Sequence, residues 1–278
     1  MRQIAASGWF SRLALSAVVV FALLIGLDRP LDAQTTLIVS DYGSNSLSSF
    51  PINAAGIPGA LTPVPGTAGA GLEGTACLYG GGTTEIFVAE NGPSIYIYNL
   101  TTGVFNVTTP FATIAGAKFA ALSLSPDGKT LYAADYNPSG GGIYAFDVQV
   151  GSPTYGMKIA TTSPISGPFK DVAVDIGTGY VFGTDLFAFI PGHPATTTNN
   201  GGVYAFSPAL PGVTLPGGPP QTLAPIPAAN IPIIPIPASA LSFGGLLFDA
   251  NGNLWVSDYL SVTANDKHSP ESMSTYAV

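Results

Sequence analysis

Five carboxylates recur along the chain, each at the end of a short apolar run: Asp41 in LIVSD, Glu90 in IFVAE, Asp135 in LYAAD, Asp185 in VFGTD and Asp258 in LWVSD. They stand 49, 45, 50 and 73 residues apart. Carboxylate oxygens are hard ligands that suit calcium, so acids at equivalent positions could surround a cation. An aspartate at a strand end can equally accept backbone N–H bonds in its own turn. Repetition favours the second role, because a structural device recurs in every repeat whereas a catalytic site breaks the symmetry. The expectation is therefore no cofactor, with calcium as the alternative, and no DxDxDG-type calcium loop is present.

Other side chains join these acids. Tyr42, Tyr136 and Tyr259 follow the acid directly in three repeats, and Phe187 and Phe189 crowd the segment after Asp185. Aromatic rings on one face could stack carbohydrate or grip a peptide; packing between neighbouring repeats is the alternative. His193 and His268, the only histidines, lie at similar places in the fourth and fifth repeats. They could form a metal pair or supply a general base, although their spacing matches no ligand signature. No GxSxG elbow offers a serine nucleophile. Cys77, the single cysteine, rules out an intrachain disulfide and reads as a buried thiol in TACLY. Asp127, Asp175 and Asp249 recur beside Gly or Asn and read as turn residues.

The elements that position these residues are short strands separated by turns. In the third repeat AALSLS (120–125), LYAAD (131–135) and GIYAFDV (142–148) are strands, with Ser125-Pro126-Asp127-Gly128 as the tight turn between the first two. The fourth repeat gives DVAVD, IGTG, YVFGTD and GVYAFS; the fifth gives GLLFD, ANGN, LWVSD and STYAV. Self-similarity at 45–50 residues, with about four strands per unit, predicts an all-β propeller with five recognisable blades. Blade one begins at its second strand and blade five stops at Val278 within its third, so the expectation is a ring incomplete or open at the C-terminus. A proline-rich insertion over 208–243 lengthens the fourth repeat, and its Ile residues predict that it lies against the body.

Composition bounds the function. Arg2 and Arg12 precede the apolar run Leu13–Leu27, so residues 1–33 read as a signal peptide, with an uncleaved anchor as the alternative. The expectation is a secreted or periplasmic protein with a propeller domain over 34–278 and no membrane attachment beyond that peptide. Beyond residue 33 there are five Lys and no Arg against ten Asp and four Glu, a net charge of about −9. Such a surface repels nucleic acid and anionic membrane, which leaves proteins or carbohydrates as partners.

The stretches SNSLSSFPINAAGIPGALTPVPGT (44–67), LSLSPDGKTLYAADY (122–136) and LFDANGNLWVSDY (247–259) resemble the secreted YVTN/NHL-type propeller repeats, and especially the lactonase-like propeller superfamily. The resemblance implies the fold across nearly the whole mature chain. It implies activity only if a metal site comes with it. Calcium-dependent gluconolactonase-like propellers carry Asn or Asp just before the inner strand, in patterns such as NGLAFSPDG. Here Ala120 and Ala121, Lys170 before Asp171, and Gly244 stand at those places, so the metal triad is not recoverable. The expectation is a non-catalytic binding or scaffold module whose ligand face carries the acid–Tyr loops and His193. The alternative is a metal-assisted lactonase-like hydrolase or lyase.

Overall fold

The structure is a computed structural model that describes residues 35–41, 46–53, 57–64, 71–80, 83–106, 108–137, 141–162, 168–185, 202–210, 218–226, 234–235, 240–249, 251–260 and 272–276. The described residues are all-β, without a helix, and form five sheets. The first sheet holds β1 (Thr35–Asp41), β2 (Ser46–Ile52) and β3 (Thr62–Pro63). The second holds β4 (Leu72–Gly80), β5 (Thr83–Glu90), β6 (Ser94–Asn99), β7 (Val104–Phe105) and β8 (Ala112–Thr113). The third holds β9 (Phe119–Leu124), β10 (Thr130–Asp135), β11 (Gly142–Asp147) and β12 (Lys158–Thr162). The fourth is β13 (Phe169–Val174), β14 (Val181–Asp185) and β15 (Gly202–Phe206).

Next in the chain come β16 (Gln221–Leu223), β17 (Pro225–Ile226) and β18 (Ile234–Pro235), and then the fifth sheet of β19 (Ala240–Phe248), β20 (Leu254–Leu260) and β21 (Ser272–Tyr276). Within each sheet hydrogen-bonded neighbours pair antiparallel, with one exception. The exception is instructive. β16, from the proline-rich stretch, pairs parallel with β12 at the outer edge of the third sheet, while β17 and β18 pair with β15. That stretch therefore straps two neighbouring sheets together. Tyr132 adds a second tie, because its buried hydroxyl accepts the Ala209 N–H at 2.9 Å.

The sheets stack face to face in chain order, and each interface has its own core. Leu47, Leu72, Ile86 and Val88 fill the first interface; Phe87, Ile95, Phe119, Leu131 and Phe146 fill the second. Tyr132, Ile143, Phe169, Val181 and Tyr204 fill the third, and Phe182, Val203, Leu254 and Val256 the fourth. A strand buried on both faces needs apolar residues on both, which is why TLYAAD is a run rather than an alternation. Leu131 and Ala133 face the second sheet, and Tyr132 and Ala134 the fourth.

The hairpins between first and second strands turn on Gly128, Gly179 and Gly252, whose φ values of 67°, 74° and 81° favour glycine. Asp127, Asp175 and Asp249 cap those turns: their carboxylates accept the N–H groups of Lys129, of Gly177 and Thr178, and of Asn251 and Asn253, respectively.

Candidate functional site

In the second to fifth sheets the acid of the repeat pairs with a residue near the start of the inner strand: Glu90 with Leu72, Asp135 with Phe119, Asp185 with Phe169, and Asp258 with Phe243. One step further the register slips in all four sheets. The residues placed out of register are Glu73 and Gly74, Ala120, Lys170, and Gly244 and Gly245. A bulge bends its strand and re-aims the extra side chain. Here it marks four equivalent positions on the inner strands of the second to fifth sheets. Gly74 permits a close approach of β4 and β9: a Cβ there would lie 2.6 Å from the Ala121 Cα and 2.8 Å from the Ala120 oxygen.

Two of the four positions carry charge, and they meet. The Lys170 ammonium lies 3.4 Å from Glu73 Oε1, joining the second and fourth sheets across the inner strand of the third. The Glu73 side chain is only 10% exposed, and its other oxygen, Oε2, is buried without a hydrogen-bond partner. Burial pushes the Glu73 carboxyl above its usual range, and the charge of Lys170 opposes that rise. Around the pair, Lys170 stands over the Tyr136 ring at 5.1 Å and Lys118 approaches the same ring at 5.9 Å. The Tyr136 hydroxyl donates to Asn91 Oδ1, and the Ser40 hydroxyl donates to the Glu73 carbonyl. Four sheets thus contribute to one polar cluster.

The recurring acids are placed otherwise. Asp135 is 1% exposed, and its Oδ1 accepts the Lys118 N–H at 2.7 Å and the Asn137 N–H at 2.9 Å. Burial raises its pKa despite those two bonds. Asp185 is buried on β14; burial first, and then the Asp185 charge, push the Tyr204 hydroxyl up to about 12. Glu90 is half-buried and accepts from the Tyr96 hydroxyl at 3.4 Å. Among the described residues no three His, Cys, Asp or Glu side chains converge as a metal site. Asp41 ends β1, and Asp258 and Tyr259 lie in β20, but their side chains, like that of Cys77, fall outside the description. Tyr42, His193, His268, Phe187, Phe189 and residues 1–33 lie outside the described residues altogether. Of the tyrosines following the acids, Tyr136 is the one whose side chain is described, and it lies in the cluster.

Glu73 is not one of the recurring acids. Its signal was the dipeptide Glu73-Gly74 immediately before TACLY, an acid-plus-Gly start to an inner strand in the one repeat where that pattern survives. Lys170, read from sequence only as the loss of a metal ligand, proves to be the partner of that acid. Chemically, the pair combines a base with a free oxygen and a fixed positive charge. The first can take a proton from water, and the second can stabilise an oxyanion.

No family model matches the chain, and no curated protein matches it. Solved structures do. A candidate 6-phosphogluconolactonase from Bacteroides uniformis superposes with a TM-score of 0.53 at 16% identity, over 81% of this chain and 61% of its own length. A candidate gluconolactonase superposes with a TM-score of 0.50 at 16% identity, over 82% of this chain and 69% of that one. A chain of the nidogen/laminin complex gives 0.50 at 12% identity, covering 80% and 69%. The chain therefore spans about three fifths of the first of these. At such identities the likeness is one of fold alone: the described sheets follow the β-propeller architecture of these structures.

Proposed function

We propose that the protein is an exported, five-bladed lactonase-like hydrolase that opens lactones of hydroxy acids at the Glu73–Lys170 pair. The observation that supports this is a broken symmetry. Four equivalent bulge positions hold Glu73, Ala120, Lys170 and Gly244, and only one of them presents a buried carboxylate with an uncommitted oxygen. A structural device would repeat. In the proposed reaction Glu73 Oε2 accepts a proton from water as the water oxygen bonds to the lactone carbonyl carbon. The resulting oxyanion is stabilised by the Lys170 ammonium. The ring C–O bond then breaks, the proton returns from Glu73 to the leaving alkoxide, and a hydroxy acid departs. The lactonase-like solved structures are consistent with this choice of substrate class.

Lys170 supplies at its bulge the positive charge that a divalent cation would otherwise bring, so calcium is not required by this mechanism. The test is hydrolysis of a panel of γ- and δ-lactones with and without EDTA, for the wild type, Glu73→Gln and Lys170→Met. The expected result is turnover insensitive to chelation that falls about 100-fold or more in Glu73→Gln. Turnover unchanged in Glu73→Gln rejects the assignment. A second reading, a non-catalytic module that binds protein or carbohydrate, is favoured by one observation: Asp135 is committed to its own backbone, as a scaffold residue would be. Absence of any turnover across the panel, with a folded protein, selects it.

A further inference from the structure

Asp171 follows Lys170 in β13 and reaches the opposite neighbour. Lys170 meets Glu73 of the second sheet, whereas Asp171 Oδ2 accepts the Leu246 N–H of the fifth sheet at 2.7 Å. Its Oδ1 accepts the Val172 N–H at 2.8 Å, and its own N–H donates to Thr184 Oγ1 at 3.0 Å. The Leu246 N–H is available because β19 slips register between Phe243 and Leu246, where the Gly245 N–H goes to Ser257 Oγ at 2.6 Å. The Asp171 carboxylate therefore fills the gap that one bulge leaves, from the shoulder of another. It is 6% exposed.

Few charges face Asp171. Lys170 is beside it on β13, Glu73 lies beyond Lys170, and Asp185 ends β14 opposite Phe169. β9 and β19 contain no charged residue, β10 and β11, which also pack on β13, end at Asp135 and Asp147, and β20 contains Asp258, whose side chain is not described. Burial pushes the Asp171 carboxyl up to about 6, against the pull of its two N–H bonds and of Lys170. The group thus changes charge in mildly acidic water.

We propose that Asp171 is a positioning residue that ties the β13 bulge to β19 and so holds the Lys170 ammonium against Glu73, releasing part of that hold when it takes up a proton. Its consequence for hydrolysis rests on the functional reading above; the tie itself does not. Protonation leaves one of the two carboxyl oxygens carrying a hydrogen, so the charge-assisted bonds to Leu246 and Val172 become neutral and weaker.

The experiment is NMR on the full chain, wild type and Asp171→Asn, between pH 7.5 and 5. It follows the exchange protection of the Leu246 amide, corrected for intrinsic rate, and the Lys170 side-chain ammonium signals. Asn keeps an acceptor for Leu246 but does not titrate. In the wild type, protection of Leu246 against local opening, in which Asp171 stays buried, is expected to fall about tenfold on acidification, the difference between a charge-assisted and a neutral hydrogen bond, even as global stability rises. Lys170 should respond with the same midpoint, and the step should survive in Glu73→Gln. Asp171→Asn should show neither step. A Lys170 step that persists in Asp171→Asn, or vanishes in Glu73→Gln, assigns the response to Glu73 and overturns the proposal, as does a flat Leu246 profile in the wild type. None of these signals needs turnover, so a protein that hydrolyses no lactone but shows the coupled steps rejects the hydrolase alone.

Discussion

Replacing Gly74 with alanine separates packing from backbone preference at the centre of the molecule. Gly74 does not have a positive φ, so alanine meets no conformational strain, and its lower unfolded-state entropy would favour folding slightly. The cost is steric. The new methyl carbon would sit 2.6 Å from the Ala121 Cα, 2.8 Å from the Ala120 oxygen and 3.0 Å from the Ala121 carbonyl carbon. Carbon atoms pack at about 3.5–4.0 Å, so β4 and β9 must part by about 1 Å. All three atoms are backbone, and no side chain can rotate away. Ala120 and Ala121 are 2% and 1% exposed, leaving no slack toward solvent. Overpacking of this kind costs about 3 kcal/mol, which for a domain of this size lowers Tm by about 6–12 °C. The assay is thermal melting followed by circular dichroism, with Gly103→Ala as comparison. Gly103 has φ 70° and nothing within 4 Å of a Cβ, so alanine there pays only backbone strain of about 1 kcal/mol. A Gly74→Ala protein melting within 2 °C of the wild type refutes the close approach of the inner strands.

Four further outcomes follow from the same contacts. Asp135→Ala leaves the part-buried N–H groups of Lys118 and Asn137 without their Asp135 acceptor and should cost about 1–3 kcal/mol in chemical denaturation. Tyr132→Phe removes the acceptor of the Ala209 N–H and should cost about 1–3 kcal/mol, loosening the segment that leads to β16. Lys170→Met removes the charge that opposes the rise of the Glu73 pKa, so a carbon-detected titration should place Glu73 higher than in the wild type. Stability should rise as pH falls from 7 toward 4. Asp171, Glu73 and Asp135 have raised pKa values, so the folded protein binds more protons than the unfolded chain in that window. Moving the Asp171 midpoint from 3.8 to about 6 alone corresponds to about 3 kcal/mol, fully lost above pH 6. Below pH 4 the sign reverses, because Asp127, Asp175 and Asp249 have lowered values and lose their turn bonds on protonation. Urea melts from pH 3 to 8 check both limbs.

The strands and their turns were legible because their signals are local. LYAAD and GIYAFDV predict strands over 131–135 and 142–148, and these lie within a residue of β10 and β11. The turn role of Asp127, Asp175 and Asp249 follows from neighbours two to four residues away. The parallel pairing of β16 with β12 was not legible, since it joins residues about sixty apart through a proline-rich stretch with no strand periodicity. The site was hidden for a related reason. A bulge is a mismatch between two strands, so neither strand announces it alone, and Glu73 and Lys170 are 97 residues apart. The acids repeat, whereas the chemistry of the Glu73–Lys170 pair depends on bulge residues that do not.

The most direct test of that distinction is a crystal structure of the protein soaked with a δ-lactam, a hydrolysis-resistant mimic of a lactone. The account predicts the lactam among Glu73, Lys170 and Tyr136, with its carbonyl oxygen within hydrogen-bond distance of the Lys170 ammonium and Glu73 Oε2 facing its carbonyl carbon through a water. A lactam bound instead at Asp135, Asp185 or the loops that follow them, with the Glu73–Lys170 pair closed as before, would contradict it.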